Sequence, residues 1–235
     1  MGQCFIWPHS QTPTHSTSWP SYVPSAILRH QSPLHELAHI FEVAPQEMET
    51  VSFPAHSPSH HSRCALIIPA TVEESADHAS RCTAELKVYS DGSGIEGGAG
   101  VAAALFKVGQ ESQVLTYHLG TLEDHTTYEA EAIGLSLALH MIWMEGHARS
   151  ASIQLDNQAV IQLLQYRKPR PSQYIINDLL HQIKDVLQHA TDPDFVMSIV
   201  WVKGHIDVEG NKLVDRAAKV AAVGTSSQEA LLPPE

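Results

Sequence analysis

Four acidic residues stand where side chains could act together. Asp91 precedes Gly92-Ser93-Gly94, Glu131 lies in TTYEAEAIGLSLAL, Asp156 in IQLDNQAVIQLL, and Asp215 in a run that follows Gly204-His205. Ionised carboxylates gathered at one point repel, by ~1 kcal/mol per pair at 4 Å in water and by more in a cleft. Divalent cations relieve that repulsion. A donor set of oxygen alone, with no cysteine nearby, suits Mg²⁺ or Mn²⁺ rather than zinc. Two such ions ~3.5–4 Å apart activate a water and stabilise the leaving oxygen of a phosphodiester. Taken singly, each acid has an ordinary reading. Asp91 reads as a turn residue, Glu131 as a solvated first-turn acid, Asp156 as a helix cap, and Asp215 as a surface partner of Lys219 four residues on. The chemical reading requires that all four converge.

Convergence depends on the elements that carry them. ELKVYSD (85–91) alternates and then runs apolar like a central strand, and GGAGVAAALFKV (97–108) and SQVLTYHLG (112–120) follow at hairpin distance. The spacing predicts a long helix from Thr126 to Glu145, with Ile133, Leu137, Ala138, Met141 and Met144 as its inner stripe and Gly146 as its stop. SASIQLD (150–156) reads as a buried strand feeding a helix from about Gln158. Pro169 and Pro171 break the chain before a second helix, roughly 172–189. FVMSIVWVK (195–203) is a fifth strand, and 209–223 a closing helix. The order β-β-β-α-β-α-α-β-α predicts an α/β fold: a five-stranded mixed sheet, three antiparallel strands then two parallel, with helices on both faces. Right-handed crossovers put the carboxyl ends of the strands bearing Asp91 and Asp156 side by side, at the rim where open α/β sheets bind ligands.

Composition divides the chain near residue 84. Residues 1–83 hold 9 of the 14 prolines and 9 of the 16 histidines, with Arg29, Arg63 and Arg81 as their only basic residues. They read as a Pro/His/Ser-rich, largely irregular segment. One short helix is expected near 34–43, where Leu34, Leu37, Ile40 and Phe41 fall at helical spacing. His56, His60 and His61 beside Cys64 suggest a metal site only weakly; solvated linker is the preferred reading. Residues 225–235 read as a flexible tail. No apolar run reaches the ~18 residues of a membrane span. MGQCFIWPHS lacks the layout of a signal peptide and has Ile6 where a myristoylation signal wants Ser or Thr. Three irregularly spaced cysteines argue against a disulfide framework, so a soluble, intracellular protein is expected. A formal charge of −12 argues against a general nucleic-acid binder; over 84–224 it is −6, from 11 basic and 17 acidic residues.

With those motifs in view, residues 84–224 resemble the type 1 ribonuclease H family. YSDGS (89–93) resembles the family's first strand with its catalytic Asp. TTYEAEAIGLSLAL (126–139) is similar to its Thr-rich entry to the long helix, where the acid five residues after the leading Thr is the ligand, so Glu131 rather than Glu129. IQLDNQAVIQLL (153–164) and WVKGHIDVEGNKLVDRAAKVAA (201–222) resemble the third and fourth blocks. The resemblance implies a ribonuclease H-like fold and Asp91, Glu131, Asp156 and Asp215 as ligands of two Mg²⁺, with Mn²⁺ able to substitute. It implies hydrolysis of the RNA strand of an RNA–DNA hybrid to 5′-phosphate and 3′-hydroxyl ends. His205 matches the family's mobile histidine, assisting proton transfer or product release. Gly92, Ser93, Thr126, Thr127, Gln158 and Asn211 match positions that contact the hybrid, by shape and 2′-hydroxyls rather than base sequence. The basic protrusion of the bacterial type is absent, and Arg167, Lys168 and Arg170 are the only basic cluster. That places the resemblance nearer the compact forms of retroelement polyproteins, with a reverse transcriptase domain or remnant upstream as the implied partner. Rival readings are a fold that grips hybrid without cutting it, an integrase-like or resolvase-like nuclease acting on DNA, and a structural scaffold.

Overall fold

The computed structural model describes residues 39–42, 63–165, 173–204 and 208–233. The chain divides into two units, one comprising residues 3–51 and 234–235, the other residues 1–2 and 52–233. In the first, only 39–42 are described: His39 and Ile40 are helical and followed by a turn, with Ile40 and Phe41 exposed. The rest of the helix expected near 34–43 lies outside the described residues, as do His56, His60 and His61.

The second unit is built on β1 (Cys64–Ile67), α1 (Val72–Arg81), β2 (Leu86–Ile95), β3 (Gly98–Lys107) and β4 (Gln113–Thr121), followed by α2 (Thr127–Met144) and β5 (Ser150–Leu155). It is completed by α3 (Gln158–Gln165), α4 (Gln173–His189), β6 (Val196–Trp201) and α5 (Glu209–Ala222). The sheet order is β1-β6-β5-β2-β3-β4, so there are six strands where five were expected. The five foreseen strands take the expected arrangement. β2, β3 and β4 form an antiparallel meander, and β5 and β6 join it in parallel. The additional strand, β1, pairs parallel to β6 at the edge, Cys64 opposite Met197 and Ile67 opposite Val200. Its sequence, CALI, is too short to show a period and sits in Pro- and His-rich text, which hides it. The part of the segment expected to be irregular that runs from Cys64 to Arg81 is therefore a strand and a helix. Cys64 is buried in the core, and α1 is capped by Thr71, whose hydroxyl accepts from the Glu74 amide.

Alternation along the strands makes two cores. Val88 and Ala103 belong to the larger one, with α2 and α4, whereas their neighbours Tyr89, Ala102 and Ala104 face α5 through Val214 and Ala218. α2 packs on β2 and β3 and also against α4. It is buried almost all round, from Ala130 through Leu135 and Leu139 to Ile142. A helix covered on two sides does not show one apolar stripe. The stripe expected for it is accordingly corrected: Leu137, Ala138 and Met141 are buried, Ile133 is partly covered, and Met144 is exposed.

β2 continues past Asp91 to Ile95 and turns into β3 through Glu96 and Gly97, both at positive φ (52° and 79°), as a two-residue hairpin loop with matching twist requires. On the opposite face α5 lies directly on β3. A Cβ at Gly100 would run into the backbone of Ala218, Ala221 and Ala222, so only glycine permits this approach. Beyond α5, where a flexible tail was expected over 225–235, described residues bond to the edge of β4. Ser226 Oγ accepts from the His118 amide (2.8 Å), Ser227 Oγ from the Thr116 amide (3.0 Å), and the Ser227 amide donates to Thr116 O (2.8 Å). The strap ends in a 3₁₀ turn, Glu229–Leu231, and Leu232 rests on the larger core. Short polar composition hid this, because a strap that bonds through serine hydroxyls reads as linker.

Gly100→Ala must separate α5 from β3. It is expected to destabilise the unit by ~1–3 kcal/mol or more in chemical denaturation, whereas Gly109→Ala, at an open turn, changes stability only through its φ of 76°.

Candidate active site

Pairing between β2 and β5 ends at Ser90 opposite Leu155. The next residue on each strand is an acid, Asp91 and Asp156, so the register itself sets two carboxylates at the same rim. The third comes from α2. Thr126 caps that helix, its hydroxyl accepting from the Glu129 amide while the Glu129 carboxylate returns to the Thr126 amide. Glu129 is thereby engaged in the cap, and Glu131, two residues on, faces the rim. Gly92 allows the contact. A Cβ there would lie 2.6 Å from the Glu131 nitrogen and 2.7 Å from the Ala130 carbonyl carbon.

Oxygens of Asp91, Glu131 and Asp156 lie within 4.8 Å of one another. Burial first, and then the charges of Asp156 and Asp215, push the Asp91 carboxyl up to about 7; the Gly92 amide and Lys219 oppose this. Burial, then Asp91 and Asp156, push Glu131 up to about 9, against the Gly92 amide and the Asn157 side chain. Two carboxyls raised this far, by burial first and by like-charged neighbours second, make a site that added positive charge would stabilise. Three close carboxylate groups, all oxygen, fit a hard divalent cation.

Asp215, the fourth acid, sits on α5 and acts on Asp91 electrostatically, but it is not among the three whose oxygens gather. Lys219 Nζ holds it instead, 2.8 Å from Oδ1 and 2.9 Å from Oδ2. His205 lies outside the described residues, as do Arg167, Lys168 and Arg170. Ser93 is in β2 opposite Gly100, Thr127 opens α2 and Gln158 opens α3. Asn211 lies in the first turn of α5, four residues before Asp215, with its Nδ2 buried and, among the described residues, without a hydrogen-bond partner.

Three supporting residues escaped the sequence reading. Asn157 hydrogen-bonds Glu131 and accepts from the Ala159 amide (2.9 Å), so the capping role considered for Asp156 belongs to its neighbour. Trp201 Nε1 donates to Asp156 O (2.9 Å), pinning that backbone from β6. Gly204 passes so near that a Cβ on it would lie 2.6 Å from Asp156 Oδ2. The polar residue following Asp156 and the Trp within WVKGH were the available signals.

A six-stranded mixed sheet with acids just past the end of the pairing between two adjacent parallel strands is an α/β fold of the ribonuclease H-like class. The family model described as RNase H matches residues 83–223, and the chain belongs to that family; by class it is a ribonuclease H. Similar solved structures include ribonuclease H1 from the halophilic archaeon Halobacterium salinarum NRC-1, at 19% identity and TM-score 0.45, covering 60% of this chain and 98% of that one. The PFV RNase H domain is similar at 20% identity and TM-score 0.46, covering 61% and 98%. LC11-RNase H1, solved in complex with an RNA/DNA hybrid, is similar at 16% identity and TM-score 0.44, covering 58% and 98%. Comparison with curated proteins gave no match. Among the described residues, no helix is long and apolar enough to cross a membrane.

The raised carboxyls make the metal-free protein pH-sensitive. Between the ordinary carboxyl range and about 9, the folded state keeps protons that the unfolded chain releases. The stability tied to those protons is complete below ~4 and is lost as pH rises through about 7 for Asp91 and about 9 for Glu131. In chelator at pH 8, Asp91→Asn is therefore expected to melt at a higher temperature than wild type. The gap should narrow as the pH falls toward 4, which thermal melts across pH will show.

Proposed function

We propose that the chain is a divalent-metal-dependent endonuclease that cuts the RNA strand of RNA–DNA hybrids, leaving 5′-phosphate and 3′-hydroxyl ends. One observation carries this reading. Carboxylates of Asp91 in β2, Glu131 in α2 and Asp156 just beyond β5 come within 4.8 Å of one another where the β2–β5 pairing ends, in a chain of the RNase H family. Asp91, Glu131 and Asp156, with Asp215 drawn in from α5, would hold two Mg²⁺ or Mn²⁺. When bound, the ions supply a nucleophilic water and charge stabilisation for the leaving oxygen.

The protein's own contribution is placement. β2 and β5 fix Asp91 and Asp156 through their register, and the Gly92 amide and Asn157 orient Glu131. Ser93, Thr126, Thr127 and Gln158 are assigned to the sugar-phosphate backbone of the hybrid. Asn211 offers a buried donor that lacks a partner, suited to a phosphate oxygen or 2′-hydroxyl. His205 is assigned to move the proton that the attacking water gives up or the departing 3′-oxygen takes, since an imidazole changes charge near neutral pH. Water attacks phosphorus, the P–O3′ bond breaks, and the phosphate stays on the 5′ end of the downstream fragment while the upstream fragment keeps the 3′-hydroxyl.

Only the seven residues 166–172 separate α3 from α4, too few for a large basic protrusion. This supports grouping the chain with compact retroelement forms, in which an upstream reverse transcriptase domain would add hybrid-binding surface. With a net charge of −6 over the domain, affinity for isolated hybrid should be weak and fall steeply with salt.

Labelled RNA–DNA hybrid, duplex RNA and duplex DNA, each with and without Mg²⁺, test the assignment. Only the RNA strand of the hybrid should be cut, and only with the metal. Asp91→Asn should lower the rate by at least ~10²-fold while the circular dichroism spectrum is unchanged. Equal cleavage by mutant and wild type would refute the metal assignment, and hybrid binding without any cleavage would favour the non-cutting rival.

A further inference from the structure

Asp215 is the acid that breaks the pattern of the site. Its three partners have oxygens within 4.8 Å of one another, whereas both of its own oxygens are engaged by a single ammonium, Lys219 Nζ, at 2.8 and 2.9 Å. The two residues lie four apart on α5, so the pair forms without any movement of the backbone. Both side chains keep contact with solvent, 35% exposed for Asp215 and 47% for Lys219, so either can turn away without opening a cavity. Lys219 is also the basic side chain whose charge bears on Asp91, which ties it to the rest of the cluster. Arg216, on the same helix, is engaged elsewhere, its Nε donating to Lys212 O at 3.2 Å.

We infer that Lys219 is a positioning residue: it latches Asp215 outside the carboxylate cluster and thereby sets how tightly the site takes divalent cations. The inference rests on the nuclease reading above. The ammonium occupies acceptor sites on both Asp215 oxygens, so a cation that recruits Asp215 competes with the ion pair. The latch supplies local positive charge in the metal-free state and exacts a fixed cost from each cation that uses Asp215. This runs opposite to the commoner expectation that a lysine beside a ligand preorganises it, in which case removing the lysine would weaken metal binding.

The two are separated by calorimetric titration of Mg²⁺ into the full-length wild type, Lys219→Met, Asp215→Asn and the Asp215→Asn/Lys219→Met double variant. Lys219→Met should tighten Mg²⁺ binding by about twofold, the size an exposed i,i+4 pair supplies. In the Asp215→Asn background the same change should have a clearly smaller effect, limited to the Lys219 charge acting on Asp91, because the latch has nothing to hold. Lys219→Arg, which keeps the pair, should bind as wild type does. The Mg²⁺ concentration giving half-maximal hybrid cleavage should fall in Lys219→Met by the same factor as the binding constant. Unchanged or weaker binding by Lys219→Met overturns the latch. An equal gain in both backgrounds also overturns it, showing a general charge effect that does not pass through Asp215. Absence of Mg²⁺ binding in wild type would sink the nuclease reading and the latch together, whereas wild-type binding with an unresponsive Lys219→Met sinks the latch alone.

Discussion

The parallel pairing of β2 with β5 is the constraint on which the site depends. The ladder runs from Leu86 opposite Ala151 to Ser90 opposite Leu155 and stops, and the residues that follow are Asp91 and Asp156. A slip of one residue would turn every side chain of one strand to the other face, so register and chemistry are specified together. The strand interiors protect that register. Val88, Ile153 and Ile199 are fully enclosed, and a shifted pairing would exchange them for Tyr89 or Gln154 in the same space. The stability of the core therefore determines where the carboxylates stand, and the repulsion among them is borne by a scaffold rigid enough to resist it.

Glycine and small residues bring the remaining pieces within reach. Gly92 lets α2 approach β2 until the Glu131 backbone touches the strand, and Gly100 with the alanine-rich face of α5 does the same on the other side of the sheet. The approach of α2 brings Glu131 to the two aspartates that register has set side by side, and the approach of α5 brings Asp215 near enough to act on Asp91. The same closeness removes solvent from Asp91 and Glu131, so the packing that assembles the site also generates the charge imbalance within it.

Much of this arrangement was legible in the letters, for definite physical reasons. The meander from Leu86 to Thr121, the two parallel strands and the helices between them have lengths and periods that local sequence expresses, and their order leaves few topologies. The preference for Glu131 over Glu129 came from the family resemblance, since locally both read as first-turn acids; in the structure Glu129 is engaged in the capping box. What stayed hidden has a common cause. β1 is four residues long and depends for its existence on β6, some 130 positions away, and the Ser226–Ser227 strap depends on the outer edge of β4. Neither carries a period, and each draws its structure from a partner far along the chain. Asn157 and Trp201 were overlooked for a related reason, since a residue that orients a neighbour's carboxylate or carbonyl looks like any other polar or aromatic residue until the distance is known.

The strap along β4 has a consequence for how the molecule behaves in company. A sheet ends where its outermost backbone groups find no mate, and such a border invites a foreign strand to dock and continue it. Here the amides of Thr116 and His118 and the carbonyl of Thr116 are already satisfied by the chain's own serines. An intruding strand would have to break three bonds before forming its first at those positions. Sheet-to-sheet coalescence along that border therefore starts uphill, and the guard is made of two hydroxyls whose loss would leave the fold's centre untouched while exposing its flank.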